Sequence, residues 1–114
     1  MKLKRYIQRH GGKQKIALEL LKVIAEKVPS HKELMFVDLM GGGGAMSSNS
    51  THFFKDFIYN EIDKGICDLF VAVQDDDFIK SINGRWITRE EFIEIRDKEN
   101  RTTQEDFILT IWSF

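Results

Sequence analysis

A run of four glycines, Gly41–Gly44, directly follows the apolar segment Leu34–Met40. Consecutive glycines are costly to order, about 0.5–1 kcal/mol each relative to alanine in regular structure, so such a loop is usually kept for a ligand. The apolar segment, bounded by turn residues, indicates a buried strand of a parallel sheet, and a helix is expected to begin near Ala45. A strand, a glycine loop and a helix in this order bind phosphates or nucleotides in Rossmann-like folds.

A second strand is predicted at Phe57–Glu61, and its terminal acid lies 17 residues after Gly44. A carboxylate in this place can accept hydrogen bonds from both ribose hydroxyls of an adenosine moiety, and Asp38 beside the loop can face a cationic group. A dinucleotide fingerprint would need a third glycine where Ser47 stands, and no Gly-Lys-Ser/Thr of a Walker A loop follows. The pattern therefore favours S-adenosylmethionine, whose sulfonium and amino groups are cationic, over a pyrophosphate.

The remaining elements follow from apolar spacing and cap residues. A helix is predicted from Lys13 to Lys27, with a buried face of Ile16, Leu20, Val23, Ile24 and Val28. Further along the chain we predict a helix at Ile66–Val73, a charged turn at Asp75–Asp77, a turn at Asn83–Gly84, a helix capped by Thr88 with Glu91, and a last segment from Glu105 to Phe114 capped by Thr103 with Asp106.

Composition narrows the class of protein. A chain of 114 residues, 42% hydrophobic and 31% charged, suits one globular domain. The single Cys67 excludes an internal disulfide framework and a cysteine-rich zinc site, and the three histidines have no spacing typical of a metal site. No apolar run reaches the roughly 18 residues of a membrane span, and no apolar core follows the basic N-terminus as in a signal peptide. We therefore expect a cytoplasmic protein without a metal.

Charge is unevenly distributed along the chain. Residues 1–32 carry nine Lys or Arg against two Glu, a balance of +7, whereas residues 33–114 have a balance of −8. A basic end on an acidic chain indicates either an anionic partner near the N-terminus or a solvated helix face, and charge alone leaves both open.

Three ordered motifs resemble the Dam-type family of adenine-N6 DNA methyltransferases, which includes phage-encoded members. Gln8–Lys13 is similar to the family's K-W-A-G-G-K. Phe36–Ala45, with Asn49 after it, resembles F-V-E-P-F-x-G-G-G-A…N. Ile58–Asp63 resembles the acidic ribose motif I-x-x-D-I-N. The three motifs together extend the resemblance over the whole chain.

The resemblance implies an α/β, Rossmann-like S-adenosylmethionine-dependent methyltransferase fold, with residues 1–114 as one partial domain, incomplete at its C-terminus. By position, Lys13 would contact the carboxylate of the cofactor S-adenosylmethionine, and Glu61, where the family more often has Asp, would bind its ribose. Asp38 stands where the family has Glu, and Arg9 where it has Trp. The cofactor-binding residues implied are Arg9, Gly12, Lys13, Asp38, Gly42, Gly43, Gly44 and Glu61.

The family's catalytic motif, D-P-P-Y, cannot occur here after the glycine loop, because Pro29 is the only proline. In the family this motif accepts hydrogen bonds from adenine N6 and stacks on the flipped base. We therefore expect no catalytic residue in this chain, which resembles the cofactor-binding half of an enzyme whose partner is double-stranded DNA, with a second chain as one source of the missing half. The alternative is a non-catalytic nucleotide-binding or interaction module derived from such an enzyme.

Overall fold

The computed structural model describes residues 3, 5–7 and 12–112. Six helices and two strands lie in the described residues. In chain order they are α1 (Ala17–Lys27), β1 (Met35–Asp38), α2 (Ala45–Ser50), β2 (Asp56–Tyr59), α3 (Lys64–Ala72), α4 (Asp76–Ile82), α5 (Arg89–Asp97) and α6 (Thr103–Ile111), with a short 3₁₀ turn (His31–Glu33) before β1.

Strands β1 and β2 form a parallel pair in which Phe36 lies opposite Phe57 and Asp38 opposite Tyr59. Side chains alternate along both strands between half-buried and exposed positions, as the two-residue period of a strand requires. Strand β1 lies within the predicted segment Leu34–Met40, whereas β2 begins one residue before the predicted Phe57 and ends two residues before Glu61. Both strands are shorter than predicted. Helix α2 connects the parallel strands and packs against both. This mixed structure with a small parallel sheet is compatible with an α/β fold.

Helix α1 begins at Ala17, because residues 13–16 form turns, so the predicted start at Lys13 was wrong. The predicted buried face was also wrong: Ile16, Leu20, Val23 and Ile24 are exposed. The helix instead buries Ala17, Leu21 and Ala25, which share one side at a spacing of four residues. This side packs against α2, and its two alanines allow the helices to approach closely.

Helix α2 forms where we expected one, although its serines and asparagine have low helix propensity. Their side chains donate hydrogen bonds to main-chain carbonyls one turn back, at distances of 2.7–3.0 Å, so these polar groups are satisfied within the helix. The donors are Ser48, Asn49, Ser50 and Thr51.

The second half of the chain is helical. Thr88 caps α5 as predicted, accepting a hydrogen bond from the main-chain N–H of Glu91. The predicted charged turn at Asp75–Asp77 was wrong, since Asp75 caps α4 by accepting from the N–H of Asp77 and the helix begins at Asp76. The cap of the last helix lies one position before the predicted Thr103: Thr102 and Glu105 form its capping box, and the helix begins at Thr103.

Two apolar clusters hold these elements together. The first consists of Leu3, Ile7, Leu69, Phe70 and Val73. The second consists of Ile87, Ile95 and Ile108, and Trp112 packs against it. Trp86 and Trp112 meet edge to face with ring centroids 5.3 Å apart. The radius of gyration is 15.9 Å, larger than the roughly 13 Å expected for about 100 residues, so the fold is elongated.

Candidate functional site

The carboxyl ends of the two parallel strands meet at one edge of the sheet. Asp38 is the last residue of β1, and Glu61 lies two residues beyond the end of β2. The main-chain N–H of Asn60 donates to the Asp38 carbonyl at 2.9 Å, and the N–H of Gly41 donates to the Asn60 carbonyl at 2.8 Å. These bonds continue the pairing beyond the strands and bring the glycine loop beside the segment that carries Glu61.

Glu61 is bonded directly to the glycine loop. Its Oε2 accepts a hydrogen bond from the main-chain N–H of Gly42 at 2.7 Å, and its Oε1 accepts one from the N–H of Asp63 at 3.1 Å. A carboxylate can accept hydrogen bonds from several donors at once, and here two of them are main-chain N–H groups. The acid predicted from the second strand therefore lies at the loop and has a fixed orientation.

Packing alone requires glycine at three positions of the loop. A Cβ at Gly41 would lie 2.3 Å from the Tyr59 ring, and one at Gly44 would lie 2.1 Å from the Phe70 ring. A Cβ at Gly43 would lie 2.1 Å from the main-chain oxygen of Ile7. At these three positions the groups that come close to the loop therefore belong to the protein, whereas from the sequence we expected a ligand to make this close approach.

Gly42 differs from the other three glycines. A Cβ at Gly42 would have no atom within 4 Å. Like Gly44, Gly42 has a positive φ, here +51°, a conformation that side-chain-bearing residues rarely adopt. Its carbonyl accepts a hydrogen bond from the Tyr59 hydroxyl at 2.6 Å, while its N–H is bound by Glu61. Gly42 is therefore the position of the loop with space for an approaching group. Its peptide groups are nevertheless fixed, by Glu61 at the N–H and by Tyr59 at the carbonyl.

The second carboxylate, Asp38, is held from the helix that follows the loop. The hydroxyl of Ser47 is completely buried and donates to Asp38 Oδ2 at 2.7 Å. Asp38 itself is half-buried, so its carboxylate is oriented by α2 without being closed off. This orientation leaves an anionic group at the end of β1, facing the cleft described next.

An open cleft of about 160 Å³ lies at this edge of the sheet. It brings together five of the predicted cofactor-binding residues, namely Gly12, Lys13, Asp38, Gly42 and Gly43. Gly44 lies behind the loop against Phe70, and Glu61 adjoins the cleft through its bond to Gly42. Arg9 lies outside the described residues. The cleft is smaller than the roughly 300–1,000 Å³ typical of ligand pockets, so it suits part of a ligand that extends beyond it.

Several residues of the site were missed by sequence reasoning. Ile7, Met40 and Met46 line the cleft, and the Tyr59 hydroxyl holds the loop. Ile62, next to Glu61, has 99% of its surface exposed, which is unusual for an apolar side chain. The alternation of β2 was the available signal for Tyr59, since it places that residue on the same face as Phe57.

Neither a metal centre nor a membrane span is found in the part of the chain that the structure describes. No group of three or more His, Cys, Asp or Glu side chains there is arranged to hold a metal ion. No helix among these residues is both long and apolar enough to cross a bilayer.

An acid bonded to a glycine loop at the carboxyl edge of a parallel sheet is the arrangement with which open α/β folds bind nucleotides and cofactors. A family model, described as D12 class N6 adenine-specific DNA methyltransferase, matches residues 10–112. The chain therefore belongs to the D12 class N6 adenine-specific DNA methyltransferase family, which confirms the resemblance seen in the three motifs. Members of this family generally depend on S-adenosylmethionine and act on DNA. Searches of curated proteins and of solved structures gave no significant match.

Proposed function

We propose that residues 1–114 are the S-adenosylmethionine-binding part of an adenine-N6 DNA methyltransferase domain with a Rossmann-like fold. The observation that carries this proposal is the 2.7 Å hydrogen bond between Glu61 and the N–H of Gly42. This bond joins Glu61, which follows β2, to the glycine loop, which follows β1. The ribose of a bound cofactor would then contact Glu61, and its aminoacyl group would contact the adjacent loop.

The chemistry of the cleft fits this cofactor. Asp38 supplies an anion for the cationic amino and sulfonium groups, and Lys13 supplies a cation for the carboxylate. The Glu61 carboxylate would accept the ribose hydroxyls, as an acid after the second strand does in nucleotide-binding folds, and the exposed Ile62 would pack against the adenine. We propose that Gly12 and Arg9 support the same end of the ligand as Lys13. When bound, the cofactor supplies a methyl group activated by its positively charged sulfur.

Calorimetric titration of the chain with S-adenosylmethionine and with S-adenosylhomocysteine tests cofactor binding. Adenosine triphosphate is the matched control, because it shares the adenosine and replaces the cationic arm with an anionic one. We expect binding of both sulfur compounds and much weaker binding of the triphosphate, which Asp38 would repel. Absence of heat at millimolar S-adenosylhomocysteine would overturn the proposal.

The methyl-transfer motif D-P-P-Y does not occur in the printed chain. We propose that this chain binds cofactor and does not transfer the methyl group alone, because nothing in it localises the lone pair of the adenine N6. Incubation with radiolabelled S-adenosylmethionine and duplex DNA is expected to leave the DNA unlabelled. Labelled DNA at a rate proportional to the chain's concentration would contradict this expectation.

The basic N-terminal part supports DNA as the partner. The five lysines in residues 12–32 are all exposed: Lys13, Lys15, Lys22, Lys27 and Lys32. We propose that the lysines of this part, other than Lys13 in the cleft, contact DNA phosphates. Replacing Lys15, Lys22 and Lys27 with Gln should reduce the slope of log affinity against log salt by up to about 3. The same change at Lys55, Lys64 and Lys80 is the control and should leave the slope unchanged.

A second candidate function, an interaction module completed by another chain, is favoured by the uncovered face of the sheet. Met35, Val37 and Ile58 lie on this face and are about half exposed, whereas parallel sheets are normally covered on both faces. We propose that a polypeptide carrying D-P-P-Y covers this face. Val37→Asp should abolish co-purification with such a polypeptide, and Val71→Asp, at an exposed position on α3, should not. Equal retention of both variants would contradict this candidate.

A further inference from the structure

The N-terminal strap, residues 5–7, passes between the glycine loop and the junction of α3 with α4. The main-chain N–H of Ile7 donates to the Gly43 carbonyl at 2.7 Å. The Ile7 side chain is 3% exposed and packs in the first apolar cluster with residues of α3. Ile7 also lines the cleft, so the strap forms part of the wall of the candidate site.

Gln74, just beyond α3, hydrogen-bonds to the main chain of the strap through both the nitrogen and the oxygen of its side-chain amide. Its Nε2 donates to the Arg5 carbonyl at 2.7 Å, and its Oε1 accepts from the Arg5 N–H at 3.2 Å. The amide thus pairs with the strap as a neighbouring strand would. The same Nε2 also donates to the Phe70 carbonyl at 3.1 Å, which fixes the amide on α3. Gln74 is half-buried, so these bonds are shielded from competing water.

The Arg5 side chain adds a second attachment at the same junction. Its guanidinium donates to the Val73 carbonyl at 3.1 Å and to Asp76 Oδ1 at 2.9 Å. The ion pair with Asp76 is substantially exposed, so it contributes less than the bonds made by Gln74. The strap is therefore held mainly through its own main chain.

We propose that Gln74 is a positioning residue for the cofactor loop. Gln74 does not line the cleft among the described residues. It acts through the strap, which it binds at Arg5 and which in turn bonds to Gly43 through Ile7. Release of the strap would remove the hydrogen-bond partner of the Gly43 carbonyl and one wall of the cleft. This inference rests on the proposed function for its effect on affinity, whereas its structural part stands separately.

The test compares Gln74→Leu with Gln104→Leu in the full chain. Gln104 is an exposed residue of α6, and its side chain bonds to Ser81 far from the strap, so it is a control for the same substitution. Amide hydrogen exchange is followed at Ile7, whose N–H bonds to the loop, and at Leu69, in the middle of α3. In Gln74→Leu we expect exchange at Ile7 to accelerate by about 10-fold, from the loss of two hydrogen bonds, with exchange at Leu69 unchanged. In Gln104→Leu neither should change.

The second measurement is the affinity for S-adenosylhomocysteine, which Gln74→Leu should weaken by about 10-fold. Equal acceleration at Ile7 and Leu69 would mean general destabilisation and overturn the inference, as would an unchanged Ile7. If the unmodified chain does not bind the ligand, the proposed function fails and the exchange data decide the role of the strap alone. Should Gln74→Leu not fold, Gln74→Glu replaces it, because it keeps an acceptor for the Arg5 N–H and removes the donor to the Arg5 carbonyl.

Discussion

The Glu61 carboxylate and the main-chain N–H of Gly42 are joined by a 2.7 Å hydrogen bond across 19 residues of sequence. A charged acceptor strengthens a bond of this kind relative to a neutral one. The bond ties the segment after β2 to the most open glycine of the loop after β1. One side chain thereby fixes the loop to the segment that follows the second strand.

Glu61→Gln should weaken S-adenosylhomocysteine binding by about 10- to 100-fold, since it removes a charged acceptor worth about 1.5–3 kcal/mol. Asp56→Asn, at the opposite end of the same strand, removes the same charge far from the cleft. Titration calorimetry of both variants separates a local role from a general charge effect. Equal affinities for the two variants would count against the ribose role of Glu61.

Gly43→Ala should destabilise the chain more than Gly84→Ala. The new Cβ at Gly43 would overlap the main-chain oxygen of Ile7, and relief of that overlap costs about 1–3 kcal/mol and displaces the strap. Gly84 also has a positive φ, +78°, but nothing lies within 4 Å of its Cβ position, so only backbone strain of about 1 kcal/mol is expected.

Urea unfolding gives the free energies of unfolding for both glycine variants. Ligand titration should show a loss of affinity for Gly43→Ala alone. The close approach of loop and strap would be contradicted if Gly43→Ala were as stable as Gly84→Ala and bound ligand normally.

Ser47→Ala should lower both stability and cofactor affinity, because it removes the buried hydroxyl that orients Asp38. We expect a loss of about 1–3 kcal/mol in the free energy of unfolding. Ser50→Ala is the matched control, since Ser50 is equally buried but donates only to the Ser47 carbonyl. It should lose stability and keep its affinity, and an affinity loss of the same size in both variants would contradict the role of Ser47.

Stability should fall in acid through Glu105. Hydrogen bonds from the Lys98 ammonium and from the main chain of Thr102 lower the pKa of this carboxyl below its usual value. The unfolded chain therefore takes up the proton first, so the stabilisation is complete above the unfolded pKa and is lost as the pH falls through the folded one. Urea unfolding of the parent chain should show this loss between about pH 5 and pH 3.

Glu105→Gln should flatten the pH dependence in that interval, because its side chain does not titrate. Lys98→Met should make this loss smaller, because without its main partner the folded pKa of Glu105 returns toward the unfolded value. A profile that is unchanged in both variants would show that Glu105 does not contribute.

Local patterns predicted the parts of the fold that depend on neighbours in sequence. The strands, the loop between β1 and α2, and the cap at Thr88 follow from apolar runs and cap residues within a few positions. The buried face of α1 was predicted wrongly, because the helix is apolar over a wide arc and only its packing on α2 selects Ala17, Leu21 and Ala25. Sequence periodicity cannot choose between two apolar sides of one helix.

The motif residues of the candidate site could be predicted from the sequence. The residues that hold those motifs in place could not. Lys13, Asp38 and three of the four predicted glycines line one cleft, with Glu61 bonded to its edge, whereas Gly44 packs against Phe70. The hydrogen bonds between Gln74 and Arg5 join residues that are 69 positions apart, so no local sequence pattern could predict them. We first attributed the glycine loop to the approach of a ligand. The structure shows that contacts with Tyr59, Phe70 and Ile7 already require glycine at three of the four positions.

The edge-to-face pair of Trp86 and Trp112 has a practical consequence for spectroscopy. These are the two tryptophans of the chain, and both lie in the second, helical half. Tyr59, by contrast, bonds to the glycine loop. Indole fluorescence excited at wavelengths where phenol does not absorb would therefore report on the second half alone, whereas far-ultraviolet ellipticity reports on the helices of both halves. A single unlabelled sample can thus reveal whether the two halves melt in one transition or in two.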